Sequence, residues 1–318
     1  MTKILIVDVH AEMYRDALRE KFPALQFQLF HNKSEVTGDL SDIDVMMMFG
    51  IEVQDFMLAG APRLKWIQSL ATGVDHFLRS QTLARDVILT SGRGIHGPAM
   101  REAVLHLMLS INHDSNSLVR NKDIHRWDRR AWPLLAGKTA VVIGSGVAGS
   151  AIGAVLQALG MKVIGVSRTP RHVAGFDVVM PQDELPLVAA GADYVINVLP
   201  GSAENRKIVG AGVFARMKPS AYFISVGRGE TVDEEAMIET LKGGKIAGAG
   251  LDVFATEPLP AESPLWDLPN VFISPHIGGL FEEYQQMATP LIIGNMSAYL
   301  SGHIAQMTNV IDRSGRSA

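Results

Sequence analysis

The chain contains no cysteine among its 318 residues. This absence excludes disulfide bonds and every reaction that needs a thiol. It fits a reducing compartment, where disulfides do not persist.

Long apolar runs are also missing. No stretch approaches the ~18 uninterrupted apolar residues that a membrane-spanning helix requires. Residues 1–8 lack the apolar core and the small-residue cleavage site of a signal peptide, and their short apolar run is typical of a buried parallel strand. We therefore predict a soluble protein of the cytoplasm.

The chain has no strong excess of one charge sign. Its formal net charge is -4, so there is no electrostatic reason to expect nucleic acid or an acidic membrane surface as a partner. Hydrophobic residues make up 47% of the chain, which is typical of a globular protein. The length suits two domains of ordinary size. No metal site is predicted.

Short apolar runs alternate with amphipathic stretches in the N-terminal part of the chain. Strands are predicted over residues 4–7, 45–49, 65–68 and 87–90, and a helix over residues 12–22. This alternation predicts βα units around a parallel sheet. A long helix is predicted over residues 98–111, because Pro98 suits a first helical turn and the apolar residues after it keep helical spacing.

A polar segment with two tryptophans occupies residues 112–132. One interpretation is a solvated connection between domains. The other is a surface covered by a second subunit, because Trp127 and Trp132 would otherwise expose large aromatic rings to water.

A second α/β unit begins at Lys138. Its strands are predicted over residues 139–143, 161–166, 194–198, 221–226, 248–253 and 271–274. Helices are predicted over residues 148–160 and 281–300, and the polar tail is expected to return to the first domain. The predicted domains are residues 1–97 with 288–318, and residues 98–287.

A glycine-rich loop lies between the first strand and the first helix of this second unit. Gly144, Gly146 and Gly149 have the GxGxxG spacing. The first glycine allows a tight turn, the second lets the backbone approach a pyrophosphate, and the third lets helix and strand pack closely. The helix N-terminus then faces the phosphates. Because the required strand and helix flank the motif, we predict a dinucleotide site.

The residues after the second strand of this unit bear on the choice of cofactor. NAD-binding proteins place an acidic residue there, which binds the ribose hydroxyls. This chain has Ser167, Arg168 and Thr169 instead. An arginine between two hydroxyls favours a 2′-phosphate, so we predict NADP, with NAD as the alternative. The competing interpretation is an arginine that merely ends a strand at the surface.

Three residues suited to acid–base or anion chemistry follow successive predicted strands. Arg228 follows the strand at 221–226, Glu257 the strand at 248–253, and His276 the strand at 271–274. Each alone could be an ordinary surface residue. Together, an arginine that binds a carboxylate and a histidine oriented by a glutamate predict reduction of a 2-keto acid beside a nicotinamide.

These motifs, in this order, resemble the D-isomer-specific 2-hydroxyacid dehydrogenase family. The match runs from about residue 64 to 300 and includes Ala71-Thr72-Gly73-Val74-Asp75, Val226-Gly227-Arg228-Gly229, Gly250-Leu251-Asp252-Val253-Phe254 and Ser274-Pro275-His276-Ile277-Gly278-Gly279. The resemblance implies an α/β fold of two doubly wound parallel-sheet domains. One is a discontinuous, flavodoxin-like substrate domain and the other is a Rossmann domain.

The resemblance also implies roles for individual residues. Arg228 would bind the substrate carboxylate and polarise the keto group, His276 would be the acid in reduction, and Glu257 would orient it. Backbone groups of Ala71, Thr72, Gly73 and Val74 would hold the substrate carboxylate. Asp252 would bind the nicotinamide carboxamide. The implied cofactor contacts are Gly144, Gly146, Val147, Ala148, Gly149, Ser167, Arg168, Thr169, Leu199, Pro200, Val226, Gly227, Asp252, His276 and Gly278.

The predicted function is NADPH-dependent reduction of a small 2-keto acid, such as glyoxylate or hydroxypyruvate, to the D-2-hydroxy acid. The family resemblance implies a homodimer formed through the nucleotide domain. Two alternatives stay open: an NAD(P)-dependent dehydrogenase of a larger D-2-hydroxy acid, and a nucleotide-sensing binding protein like the corepressors of the same family. Arg93 and His96 either face the active-site cleft or belong to a surface loop.

Overall fold

A computed structural model describes residues 1–313 and divides the chain into two compact units. Unit 1 comprises Met1–Ile95 and the chain from Phe281 onward, and unit 2 comprises His96–Leu280. The predicted boundaries, after residues 97 and 287, lie slightly later in the sequence. The second boundary comes earlier because Tyr284, which precedes the predicted boundary, is already buried in the core of unit 1.

Unit 1 is built on a five-stranded parallel sheet of strand order β2-β1-β3-β4-β5. This is the flavodoxin-like order. The strands are β1 (Lys3–Val7), β2 (Gln26–Phe30), β3 (Val45–Met48), β4 (Trp66–Ser69) and β5 (Ile88–Thr90). The four predicted strands are confirmed. Strand β2 was not predicted, because two glutamines interrupt the apolar pattern of this edge strand.

Helices and the C-terminal tail cover this sheet. The helices are α1 (Ala11–Lys21), α2 (Asp55–Ala59), α3 (Asp75–Arg79) and α10 (Tyr284–Leu300). The buried amide of Asn295 on α10 donates to Gln68 Oε1 on β4 at 2.9 Å. The Ile311 N–H donates to the Leu89 carbonyl oxygen at 2.8 Å, which confirms that the tail packs on this domain as far as residue 313.

Unit 2 is built on a seven-stranded parallel sheet of order β12-β11-β10-β9-β6-β7-β8. This is the Rossmann order with one more strand, and the strand order reverses at β6. The strands are β6 (Thr139–Ile143), β7 (Lys162–Ser167), β8 (Val178–Pro181), β9 (Tyr194–Asn197), β10 (Tyr222–Ser225), β11 (Gly248–Leu251) and β12 (Val271–Ile273). The predicted fold class is confirmed.

Apolar side chains fill both faces of this sheet. Along β6, Val141 and Ile143 lie in one core cluster while Ala140 and Val142 lie in the other. A strand buried on both faces has an uninterrupted apolar sequence, which is why β6 could be predicted. The edge strand β8 was missed because it is short, half exposed and ends in Pro181.

Six helices belong to unit 2. They are α4 (Gly97–Asn112), α5 (Ser115–Asp123), α6 (Val147–Ala158), α7 (Leu185–Ala189), α8 (Ala211–Phe214) and α9 (Glu234–Lys242). Helix α5 lies where the sequence indicated only a polar segment. It buries no residue, so it shows no apolar periodicity, and its N-terminus is capped by Asp114.

Across residues 1–313, no helix combines the length and the apolar character needed to cross a membrane.

Candidate functional site

The predicted cofactor and catalytic residues of unit 2 follow the carboxyl ends of β6, β7, β9, β10, β11 and β12. All these strands are parallel, so their carboxyl ends lie along one edge of the sheet. Ligands of open α/β sheets bind at this edge, close to the point where the strand order reverses.

The glycine loop joins β6 to α6 and fits a dinucleotide. Gly144 has a φ of 114°, a left-handed conformation that favours glycine. A Cβ atom on Gly149 would collide with the Gly144 carbonyl oxygen, so helix and loop can pack this closely only with glycine there. Gly146 precedes α6, Val147 and Ala148 begin it, and no side chain caps its first amides. Those amides and the positive helix end suit a pyrophosphate.

Arg168 follows β7 directly and meets a carboxylate from elsewhere in the chain. Its Nη1 lies 3.4 Å from Oε2 of Glu204, which comes from the segment after β9, and both side chains are exposed. Ser167, which ends β7, is half-buried, whereas Thr169 is exposed. The sequence showed no acid after β7, but the fold brings one to that place.

The segments after β9 and β10 pack backbone against backbone. Leu199 is buried and its N–H donates to Asn197 Oδ1 at 3.3 Å, while the neighbouring Pro200 is exposed. Val226 is buried after β10, and a Cβ atom on Gly227 would collide with the Leu199 carbonyl oxygen. The predicted cofactor residues of these two strand ends are therefore neighbours.

His276 and Glu257 form a close hydrogen-bonded pair. His276 Nδ1 lies 2.6 Å from Glu257 Oε2, with the two side chains 40% and 34% exposed. Glu257 Oε1 accepts the Phe254 N–H at 2.9 Å, which fixes the carboxylate. Burial raises the pKa of Glu257, but the hydrogen bonds from His276 and Phe254 and the charges of His276 and Arg228 outweigh it and hold the pKa below its ordinary value. An ionised Glu257 is only an acceptor, so the His276 Nδ1–H donates a hydrogen bond to it and Nε2 is left for a reacting group.

Arg228 belongs to the same group of side chains. It follows β10, and its Nη1 donates to the Gly227 carbonyl oxygen at 2.8 Å. Its positive charge contributes to the lowered pKa of Glu257. A Cβ atom on Gly229 would collide with the Phe254 carbonyl oxygen, so the backbones of these two loops touch. The structure therefore brings the three predicted catalytic residues together.

Asp252 holds the loop that carries His276. Its buried carboxylate accepts the Ser274 hydroxyl at 2.6 Å, the Ile277 N–H at 3.0 Å and the Gly278 N–H at 2.9 Å. His276 itself has a φ of 54°, in the left-handed region that a non-glycine residue seldom adopts. Such a backbone persists only where the surroundings define it, and the Asp252 hydrogen bonds do so. The contact of Asp252 with the nicotinamide carboxamide stays a prediction.

Residues 105–278 match the family model described as D-isomer specific 2-hydroxyacid dehydrogenase, NAD binding domain. The chain belongs to the D-isomer specific 2-hydroxyacid dehydrogenase family.

Curated relatives of this chain carry names that refer to different substrates. A D-3-phosphoglycerate dehydrogenase from Methanocaldococcus jannaschii is 30% identical over 98% of this chain, and the chain spans 60% of that relative's length. A glyoxylate/hydroxypyruvate reductase B from Pectobacterium atrosepticum is 31% identical over 90% of this chain and 88% of its own length.

Solved structures of the family share the fold of the whole chain. A D-isomer specific 2-hydroxyacid dehydrogenase family protein from Aeromonas salmonicida is 32% identical with a TM-score of 0.89, covering 98% of this chain and 99% of that one. An NADPH-dependent glyoxylate/hydroxypyruvate reductase from Sinorhizobium meliloti, in complex with NADP and sulfate, is 28% identical with a TM-score of 0.85 and 98% coverage of both chains.

The predicted substrate loop of the dehydrogenase lies in unit 1, at the carboxyl end of β4. The Ala71 carbonyl oxygen accepts the Gly92 N–H at 2.8 Å, and the Ala71 N–H donates to Ser69 Oγ at 3.1 Å. Thr72 is exposed, Gly73 is half-buried, and Val74 is buried just before α3. These hydrogen bonds hold the loop in a defined conformation.

His96, left open between two interpretations, lies near Arg228. It precedes α4, and its Cδ2 is 3.4 Å from where a Cβ atom on Gly279 would stand. Burial lowers the pKa of His96, and the positive charge of Arg228 lowers it further. Arg93 is exposed on a loop of unit 1, where its carbonyl oxygen accepts the Asn309 amide at 2.6 Å. The sequence held no signal that could separate these two residues.

Proposed function

We propose that this dehydrogenase uses NADPH to reduce a small 2-keto acid of the glyoxylate or hydroxypyruvate type to the D-2-hydroxy acid. The observation that carries the proposal is the 2.6 Å contact between His276 Nδ1 and Glu257 Oε2, with the charge of Arg228 acting on Glu257. This arrangement leaves His276 Nε2 to exchange a proton. The His276–Glu257 pair lies on the same sheet edge as the glycine loop.

The cofactor role rests on the fit of the glycine loop. Gly144, Gly146 and Gly149, with the first turn of α6, would hold the pyrophosphate, and Arg168 with Ser167 and Thr169 would hold a 2′-phosphate. NADPH, when bound, supplies the hydride for reduction of the keto carbon. The Sinorhizobium meliloti neighbour was solved with NADP, which supports the same preference here.

The acid–base role belongs to His276. Reduction of a ketone leaves negative charge on its oxygen, so a proton donor must stand at that atom. His276 Nε2 would donate the proton in reduction and accept it in oxidation, while Glu257 holds the ring and stabilises the imidazolium form. We propose that His276 acts from the left-handed backbone position that Asp252 maintains.

Arg228 would bind the substrate by its carboxylate. A guanidinium matches a carboxylate with two parallel hydrogen bonds and also polarises the neighbouring keto oxygen. Backbone groups of Ala71, Thr72, Gly73 and Val74 in unit 1 are proposed, as the sequence predicts, to bind a carboxylate as well. Both contributions favour small acids whose recognition rests on the carboxylate and the keto group.

The deciding experiment is a matched set of initial rates. Consumption of NADPH and of NADH is measured with glyoxylate, hydroxypyruvate, pyruvate and a larger 2-keto acid. We expect the highest kcat/KM for NADPH with glyoxylate or hydroxypyruvate. Faster turnover of the larger acid would favour the first alternative. Tight cofactor binding without turnover of any acid would favour the nucleotide-sensing alternative.

The role of Arg168 is tested by Arg168→Ala in the same assay. We expect a loss of about 10- to 100-fold in affinity for NADPH, because a charge-assisted contact to phosphate is removed, and little change for NADH. Arg216→Ala, an exposed arginine on another loop of unit 2, is the control. Equal losses for both cofactors would remove the argument from the 2′-phosphate.

We further propose a homodimer that covers the outer side of the 112–134 segment. Trp127 is 93% exposed and Leu134 75% exposed, and Val119 and Ile124 on and after α5 are also exposed. Exposed large apolar side chains, here four within one short segment, are typical of an interface. A cytoplasmic location stays a prediction from the sequence.

A further inference from the structure

The Arg168 guanidinium faces a carboxylate at the place where NAD-binding relatives of this fold carry an acid. Glu204 Oε2 lies 3.4 Å from Arg168 Nη1 and accepts the Ser202 hydroxyl at 3.2 Å. The contact to Arg168 involves one nitrogen and one oxygen, and both side chains are more than half exposed. It is therefore a loose ion pair that either partner can leave for a ligand.

The backbone on each side of this pair is held in place. Arg168 is the first residue after β7. Glu204 lies in the 3-10 turn Ala203–Asn205. Ser202 caps this turn, because its hydroxyl oxygen accepts the Asn205 N–H at 3.2 Å. Asn205 is 3% exposed and its amide donates to the Pro200 carbonyl oxygen at 3.0 Å. The turn that carries Glu204 is thus held in place, while the Glu204 side chain is exposed to solvent.

The position of the pair in the sheet relates it to the cofactor. Strands β7 and β9 are the two neighbours of β6 in the sheet. Arg168 follows β7 and Glu204 belongs to the segment after β9, so the pair joins the two segments that flank the glycine loop after β6. In this fold the end of the second strand is the place where an acidic residue binds the ribose hydroxyls. Glu204 brings a carboxylate there from a different loop.

We propose that Glu204 is a cofactor-specificity residue that opposes Arg168: its carboxylate repels the 2′-phosphate of NADPH and accepts a ribose hydroxyl of NADH. This inference rests on the proposed function. A phosphate carries nearly two negative charges at neutral pH, so a carboxylate within a few ångströms weakens its binding. Because the site is exposed and screened by water and salt, the effect is moderate rather than absolute. The chain therefore prefers NADPH without excluding NADH.

The test is direct binding of each reduced cofactor to Glu204→Gln, without substrate, by calorimetry or nicotinamide fluorescence. The glutamine keeps the size of the side chain and removes its charge. We expect NADPH to bind about 3- to 10-fold more tightly and NADH to bind equally or about 2-fold more weakly. The gain for NADPH should shrink in 1 M salt, where the screening length is about 3 Å. Glu235→Gln, an exposed carboxylate on α9, is the control and should change neither constant.

The double variant Arg168→Ala/Glu204→Gln distinguishes direct repulsion of the 2′-phosphate by Glu204 from positioning of Arg168 by Glu204. If Glu204 repels the phosphate directly, Glu204→Gln also tightens NADPH when Arg168 is absent. Weaker NADPH binding by Glu204→Gln alone would mean that Glu204 positions Arg168, and would overturn the inference. If Glu204→Gln leaves the ratio of the NADPH and NADH dissociation constants unchanged, the inference is overturned as well. Wild-type protein that binds neither cofactor would instead reject the proposed function, and this inference with it.

Discussion

The buried carboxylate of Asp252 accepts the Gly278 N–H at 2.9 Å, across 26 residues of sequence. The same side chain holds Ser274 and Ile277, so the residues on both sides of His276 depend on it. Asp252 thereby links β11 to the loop after β12, so His276, the proposed acid–base residue, is placed by a residue outside its own loop.

Asp252→Asn tests this link. The amide has one acceptor oxygen, so at least one of the three donors loses its partner, and we expect a loss of about 2–4 kcal/mol in the free energy of unfolding. Urea denaturation of the cofactor-free protein measures it, with Asp267→Asn on an exposed turn as the control. A contact to nicotinamide alone would leave the stability of the cofactor-free protein unchanged, so an unaltered unfolding curve would contradict the loop role.

His276→Ala and Glu257→Gln test the acid–base pair. Removal of the proton donor should lower kcat by about 10²- to 10⁴-fold. Glu257→Gln should lower kcat by a smaller factor, because the ring keeps a neutral partner but loses the charge that stabilises its protonated form. Cofactor dissociation constants, measured by fluorescence, should change by about 2-fold or less. Retained turnover in His276→Ala would assign the proton to another group.

Arg228→Lys tests carboxylate recognition while it keeps the positive charge. A lysine cannot form the two parallel hydrogen bonds of a guanidinium, so we expect KM for the keto acid to rise about 10- to 100-fold and kcat to fall. Steady-state kinetics at saturating NADPH measure both constants. An increase confined to the KM of NADPH would place Arg228 at the cofactor instead of the substrate.

His96 should make stability depend on pH on the acid side of neutrality. Because its folded pKa is lower than its ordinary value of 6.5, the unfolded chain takes up a proton on His96 before the folded protein does as the pH falls. The contribution of His96 to stability is thus fully present above that value and is lost as the pH drops towards the folded pKa. His96→Asn, which does not titrate, should lose less stability than wild type between neutral pH and pH 5. Urea denaturation across that range measures this, with the exposed His303→Asn as the control. Parallel curves for His96→Asn and wild type would contradict it.

Trp127→Ser tests the proposed dimer interface. Light scattering on the wild-type protein should give about twice the 34.5 kDa mass of one chain, and the substitution should shift the equilibrium towards the monomer. Trp266→Ser is the matched control, since Trp266 is 51% exposed in a different segment of unit 2, Pro264–Asp267. A wild-type monomer at micromolar concentration would reject the interface. If the Trp127→Ser dimer is as stable as the wild-type dimer, the interface lies elsewhere on the protein.

Local patterns along the chain were enough for much of this protein. The apolar run of β6, the glycines after it and the helical spacing of α6 together indicate a nucleotide-binding unit, because each pattern reports the burial of its own element. Arg228, Glu257 and His276 could be grouped because parallel strands end at one edge of a sheet. The edge strands β2 and β8 and the exposed helix α5 escaped prediction because their residues bury little.

The sequence by itself therefore determined the fold class and the glycine loop and predicted the grouping of Arg228, Glu257 and His276, since these depend on short segments and on the order of strands. Only the tertiary structure decided that Glu204 meets Arg168, that Asp252 holds the His276 loop, and that His96 lies near Arg228. Each of these contacts joins loops far apart in the chain. Hydrogen bonds and ion pairs act over a few ångströms, and which loops come that close is set by the sheet order and the packing, not by sequence spacing.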